Sequence, residues 1–189
     1  YHIYWQVLNT KHYGIPQNRE RIFIVGFKDF RHFSFPKQIP LNKKLKDILQ
    51  DEVDNKYYLS DTAIEKINKH NNKTLDKNIS NKIVEIKSGA LRTHPRTTNP
   101  DKDKKEGRSK RLEIRDDGLA NSITTHQLDS IVIKDNIRRL TPLETWRLQG
   151  FKDNDFYKVK DVSDTQLYKQ AGNSITVDVL MHLFKKIYE

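Results

Sequence analysis

No cysteine occurs among the 189 residues, which removes disulfides, thiolate metal sites and thiol nucleophiles at once. No run of about eighteen apolar residues is present, nor a charged leader followed by an apolar stretch, so neither a membrane span nor a signal peptide is supported. The expected compartment is therefore the cytoplasm. The seven histidines form no His-Glu-x-x-His helix and no paired spacing, so no metal is implied. Internal repeats and low-complexity tracts are also missing.

Basic charge is present in excess. Lys and Arg number 35 against 25 Asp and Glu, a formal charge of +10. A surplus of this size favours a polyanionic partner such as nucleic acid, although solubility or a Lys- and Asn-rich composition would produce it too. The length suits one domain or two small lobes and is enough to bury a core. The text opens on Tyr1 directly inside an alternating run, Ile3, Trp5, Val7, which suggests a piece of a longer protein.

That alternation predicts a strand, and the continuous apolar run Ile22 to Val25 predicts a second one buried on both faces. Gly14 and Pro16 punctuate the loop between them, leaving Gln17 and Arg19 at its exit and Arg21 at the mouth of the second strand. From Lys28 onward the text turns to Lys, Asn and Asp. Leu45, Ile48 and Leu49 predict a short helix, Ser60 caps a second, residues 71–81 read as a mobile surface loop, and Ile83, Val84 and Ile86 as a strand. Residues 92–115 carry nine Lys or Arg (92, 96, 102, 104, 105, 108, 110, 111, 115) against four acids (101, 103, 106, 113). Pro95, Pro100 and Gly107 predict a loop there, one that could follow phosphates or simply be solvated. Asp117-Gly118 predicts a turn, and residues 120–125 and 130–134 the strands of a hairpin-like unit.

The C-terminal part is locally well specified. Thr141 at an N-cap, Pro142 at the first helical position and Glu144 three residues after the cap make a capping box, with Gly150 as the stop. Ser163 and Gln166 repeat the pattern, with Gly172 predicted to end that helix. Val179, Leu180, Leu183, Phe184 and Ile187 then recur at helical spacing.

Three stretches stand out: Tyr13-Gly-Ile-Pro-Gln-Asn-Arg-Glu-Arg-Ile-Phe-Ile-Val-Gly-Phe27, Arg138-Arg-Leu-Thr-Pro-Leu-Glu-Thr-Trp-Arg-Leu-Gln-Gly-Phe151 and Gln170-Ala-Gly-Asn-Ser-Ile-Thr-Val177. In that order they resemble the eighth, ninth and tenth motifs of the DNA cytosine-5 methyltransferases, and the basic text between the first two lies where that family inserts its target recognition domain. The resemblance implies an α/β fold: part of a Rossmann-like S-adenosylmethionine-dependent methyltransferase sheet plus a smaller mixed α+β recognition domain. Residues 1–27 would end the catalytic domain, 28–137 form the recognition domain, and 138–189 return to the catalytic domain.

It also implies chemistry in which a cysteine thiolate adds to C6 of a cytosine flipped out of double-stranded DNA, and C5 takes a methyl group from S-adenosyl-L-methionine. In that scheme Arg19 and Arg21 are the catalytic residues of this chain, Arg21 at O2 of the cytosine and Arg19 beside the nucleophile and sugar-phosphate; a guanidinium at O2 steadies electron density without giving up a proton. Gln17 either braces the loop or serves the DNA side. Arg92, Arg96 and Arg115 are candidate base or phosphate contacts, with Ser122, Thr124 and Thr125 on the recognition strand, where Ser122-Ile123 stands in place of the family's Thr-aliphatic pair. Gly172, Asn173 and Ser174 would close the cofactor pocket; Asn173 or Ser174 could equally cap the following helix. Arg139, Arg147 and the Trp146 helix read as architectural.

The family's earlier motifs are missing: the glycine-rich cofactor turn, the Pro-Cys nucleophile loop and the Glu-Asn pair. The chain is therefore expected to be inactive alone and to need the cysteine-bearing N-terminal half, in cis or in trans, with restriction-modification as the setting. The competing expectation is a non-catalytic DNA-binding protein or recognition subunit derived from such an enzyme.

Overall fold

In the computed structural model, residues 1–68, 86–95, 108–125, 131–133, 136–159 and 161–189 are described, except for the side chains of residues 66–68, 91–95, 108–112, 131 and 133. The chain opens with an antiparallel hairpin: β1 (His2–Asn9) pairs along its whole length with β3 (Glu20–Phe27), setting Trp5 opposite Ile24 and Val7 opposite Ile22. A 3-10 helix, Thr10–Tyr13, and Gly14 at φ +89° turn the chain between them. Glycine suits that left-handed geometry because a Cβ there would be strained. The two faces of the hairpin differ sharply. Leu8 and Val25 are buried on one, and Tyr4, Phe27, Phe33 and Phe35 pack there in T-shaped and tilted ring pairs. On the other face Ile3, Trp5, Val7, Ile22 and Ile24 are all 53–67 % exposed. The expectation of a strand buried on both sides at residues 22–25 is thus corrected: it belongs to a two-stranded ribbon, and no described residue covers its second face.

In the middle region 3-10 turns occupy Leu45–Asp47 and Asn55–Tyr57, and α1 spans Asp61–Asn68, with Ser60 Oγ accepting from the Ala63 N–H. The helix predicted around Leu45 shrinks to one 3-10 turn. A four-stranded antiparallel sheet follows, in the order β5 (Arg108–Arg115), β4 (Lys87–Pro95), β7 (Ile131–Ile133), β8 (Ile137–Arg139). The prediction of an unbroken basic loop at 92–115 is therefore wrong at both ends. Eight cross-strand partners zip β4 to β5, and Pro95 lies beyond the three residues by which β4 pairs with β7, so that stretch of β4 has a strand partner on one side only, where proline is tolerated. Residues 71–81, 83–85, 96–107 and 126–130 lie outside the described residues. Nor do residues 120–125 and 130–134 form a hairpin with each other. Only Ala120–Asn121 (β6) is a strand, and it runs parallel to β2 (Gln17–Asn18), while β7 joins β4 and β8.

Four helices follow: α2 (Pro142–Arg147), α3 (Asp153–Tyr157), α4 (Asp164–Asn173) and α5 (Val177–Tyr188). The capping box at Thr141 forms as predicted, with both the Thr141 hydroxyl and the Glu144 carboxylate engaged, and Gly150 at φ +82° ends the segment. Glu144 does more than cap. It is fully buried, takes a two-pronged grip from Arg138 at 2.8 Å on each oxygen, and accepts the Thr141 and Gln50 N–H groups at 2.8 and 2.9 Å. Trp146 is core: its indole N–H donates to the Leu167 carbonyl oxygen, and its ring meets Phe151 and Phe156. Arg147 holds Asp153 by two hydrogen bonds and reaches the Ile48 carbonyl, which keeps the Asp153 carboxyl below the usual carboxylate range.

In α4 one prediction fails informatively. The helix continues through Gly172 to Asn173, so this glycine is not a stop. On α5, Val179 and Leu183 are buried, but Phe184 is 47 % exposed and turned away from the core. The main core joins Ile15 from the N-terminal loop, Ile48 and Ile123 from the middle region, and Leu143, Leu167 and Ala171 from the C-terminal helices. Among the described residues the sheets are small and β2–β6 is the one parallel pair, so this chain by itself does not show a Rossmann-like sheet.

Candidate functional site

The strand β3 with the residue before it, the end of α4 and the start of α5 converge on a cleft of about 390 Å³ lined by Arg19, Arg21, Ile22, Ile24, Asn173, Ser174 and Thr176, among others. The convergence is held by buried polar side chains whose partners lie more than a hundred residues away. Gln17 is fully buried: its amide nitrogen donates to the Leu148 carbonyl at 2.6 Å, and its amide oxygen accepts the Ile123 N–H at 3.0 Å. Grouped in sequence with DNA-side residues, it is instead committed at both ends inside the protein, the bracing arrangement.

Arg19 is buried as well. One terminal nitrogen donates to the Ile123 carbonyl at 2.6 Å and to Ser122 Oγ at 3.4 Å; the other donates to the carbonyls of Gly172 and Ser174, each at 3.1 Å. The last carbonyls of a helix lack intrahelical partners and carry partial negative charge. A guanidinium is thus a natural cap for the end of α4. Burial, and secondarily the neighbouring charge of Arg21, lowers the Arg19 pKa to about 10, which still leaves it charged at neutral pH.

Arg21 is different. It is exposed at the mouth of the cleft, and its described hydrogen bond goes to the Glu20 carbonyl at 2.6 Å, so most of its five donors point to no described protein acceptor. Asn173 is exposed, Ser174 half-buried, and Gly172 sits inside the last turn. A Cβ at Gly172 would stand 2.5 Å from the Thr124 carbonyl carbon and oxygen. This glycine is there for close approach, the reason the earlier stop prediction missed.

Four residues of the site escaped sequence reasoning. Thr10 and Thr176 hydroxyls lie 3.2 Å apart, Thr176 donates to Gln149 Oε1, and Thr10 contacts the Arg19 carbonyl; Ile175 lines the cleft beside them. Thr176 could have been found two positions beyond Ser174, whereas Thr10 carries no local signal. Of the recognition candidates, Ser122 is partly buried and bound by Arg19, and Thr124 and Thr125 border Gly172. Arg115 forms a forked pair with Asp117 at the end of β5. Arg92 pairs in register with Arg111 on β4 and β5, its side chain outside the described part, and Arg96 lies wholly outside the described residues. Of the three, only the Arg115 side chain is described, and it does not line the cleft. Among the described residues no cluster of three potential metal ligands occurs and no helix is long and apolar enough to cross a membrane.

The sequence model of the family described as C-5 cytosine-specific DNA methylase matches residues 1–189. The chain belongs to that family. Among curated relatives, it is 35 % identical to the type II methyltransferase M2.ScrFI of Lactococcus lactis, covering 98 % of this chain and 45 % of that protein. It is 34 % identical to M.HpaII of Haemophilus parainfluenzae over 97 % of this chain and 49 % of the relative. The chain spans about half the length of the curated relatives it matches. Among solved structures, the Dnmt2 methyltransferase of S. pombe superposes with a TM-score of 0.56 at 17 % identity, covering 97 % of this chain and 55 % of that one. A methyltransferase of Entamoeba histolytica gives 0.57 at 18 %, covering 100 % and 55 %. These similarities show an α/β methyltransferase fold.

Proposed function

We propose that this chain is the recognition and closing half of a bacterial DNA cytosine-5 methyltransferase of a restriction-modification system, inactive without a cysteine-bearing catalytic half. The observation that carries the reading is the meeting of Arg21 with Asn173 and Ser174 around one cleft, although about 150 residues separate them in sequence. Arg21, with free donors at the cleft mouth, faces O2 of the flipped cytosine. The exposed Asn173 and half-buried Ser174, with Ile22, Ile24, Ile175 and Val179 as an apolar wall, suit an amphipathic ligand with a charged end, so the residues fit S-adenosyl-L-methionine. When bound, that cofactor supplies the activated methyl group. Residues 1–27 and 138–189 complete the catalytic domain; residues 28–137 hold the recognition domain, where Arg92, Arg96 and Arg115 supply DNA contacts, Ser122 meets Arg19, and Thr124 and Thr125 lie against Gly172.

The exposed face of β1 and β3 is where the catalytic half docks. Five large apolar side chains on one ribbon face form a patch that a free surface seldom keeps, two of them, Ile22 and Ile24, continue into the cleft, and about half of each relative's length has no counterpart here. Mixing the chain with the separately produced cysteine-bearing half should give a one-to-one complex by sedimentation. Ile3→Glu with Trp5→Glu, placed away from the cleft, should abolish it while leaving the circular dichroism of the chain unchanged. A complex that survives both changes, or a patch satisfied by self-association, would contradict this docking.

A further inference from the structure

Arg19 and Gly172 form one seam that makes the recognition segment and the cofactor-side turn a single unit. Arg19 gives one terminal nitrogen to residues 122–123 and the other to residues 172 and 174. Gly172 lets the end of α4 lie directly against the Thr124–Thr125 peptide, where even a methyl group would collide. Neither contact belongs to ordinary strand pairing or helix packing, and β6 itself stops at Asn121. Residues 122–125 are thus held by a guanidinium, a Gln17 amide and a close approach at Gly172, beside the anchoring of Ile123 in the main core.

We infer that Arg19 is a positioning residue whose fork couples the DNA-side segment to the cofactor-side turn, so that each segment is ordered through the other. The inference rests on the methyltransferase reading for what the two sides bind, but not for the seam itself. Coupling of this sort is reciprocal: whatever loosens residues 122–125 must also loosen residues 172–174. Lysine cannot replace the fork. Its ammonium is a compact point charge on a flexible stem, unable to span carbonyls of two separate segments in a fixed plane.

The test compares wild type, Arg19→Lys and Gly172→Ala by amide hydrogen exchange on the full chain, then by steady-state kinetics of the complex with the catalytic half. In both variants residues 121–125 and 172–176 should lose protection together, while the buried 142–148 segment keeps its own. In the complex, Arg19→Lys should raise the KM for S-adenosylmethionine and for DNA in parallel, each by roughly tenfold, as expected for losing about one charge-assisted hydrogen bond's worth of positioning, with a smaller change in kcat. Loss of protection on one side only, or a uniform loss across the chain, would overturn the seam, as would a kcat defect with both KM values unchanged. A wild-type complex that transfers no methyl group would count against the functional reading, and the exchange comparison would still decide the seam.

Discussion

Replacing Glu144 with alanine will destabilise the chain by about 3–5 kcal/mol, the range observed when one member of a buried ion pair is removed and the other is left without a counter-charge. The magnitude follows from how completely the site is closed. Arg138 and Glu144 retain 8 % and 0 % of their side-chain exposure, and the carboxylate satisfies the guanidinium and two backbone N–H groups at once. Those N–H groups come from separate places, the cap of α2 and the Gln50 loop, so a single deletion frays the junction of β8, α2 and the middle region together. Urea unfolding followed by far-UV circular dichroism measures it. Changing both partners, Arg138→Met with Glu144→Leu, should recover only part of the loss, since the N–H groups of Thr141 and Gln50 remain buried without acceptors. Full recovery would show that the charge pair, rather than the carboxylate's capping work, carries the stability.

Arg21→Ala will reduce kcat of the reconstituted enzyme by about a hundred- to a thousandfold, the usual consequence of deleting one fixed donor aimed at developing negative charge. Its neighbour two positions back sets the contrast. Arg19 is buried and bonded to protein carbonyls, whereas Arg21 is exposed at the cleft with donors to offer. Arg21→Ala should therefore leave the unfolding midpoint within about 0.5 kcal/mol of wild type, as for a surface substitution, and leave DNA affinity nearly intact while turnover collapses. Single-turnover methylation read beside a filter-binding titration separates the two. A variant that loses DNA binding in proportion to rate would make Arg21 a phosphate contact instead.

Local chemistry was legible where the physics is local. The Thr141, Pro142 and Glu144 cap, the Gly150 stop and the alternation of Ile3, Trp5 and Val7 all follow from groups within four residues of one another, and each forms. Gln17 and Arg19 were legible as motif residues but not as interior ones. A Gln-Asn-Arg-Glu-Arg string looks solvated, and its burial depends on carbonyls of Leu148, Ile123 and Gly172 that only the fold brings near. Gly172 misled for a related reason: a glycine near a helix end is usually a stop, and the actual demand came from Thr124 across the seam. The β4–β5 ladder was hidden by Pro95, Pro100 and Gly107, which read as loop punctuation, although the register runs on to pair Pro95 with Arg108. The bare face of Ile22 and Ile24 could not be read at all from a short apolar run, which looks the same whether a strand is covered on one side or two.

The most direct measurement is transfer of a tritiated methyl group from S-adenosylmethionine to duplex DNA, run with the chain alone, with the cysteine-bearing half alone, and with the two mixed. The chain has no cysteine to attack C6; it contributes the cleft's Arg21, Asn173 and Ser174. Incorporation should therefore be at background for each half and appear on mixing, at C5 of cytosine. Sustained turnover by the 189-residue chain alone would contradict this account.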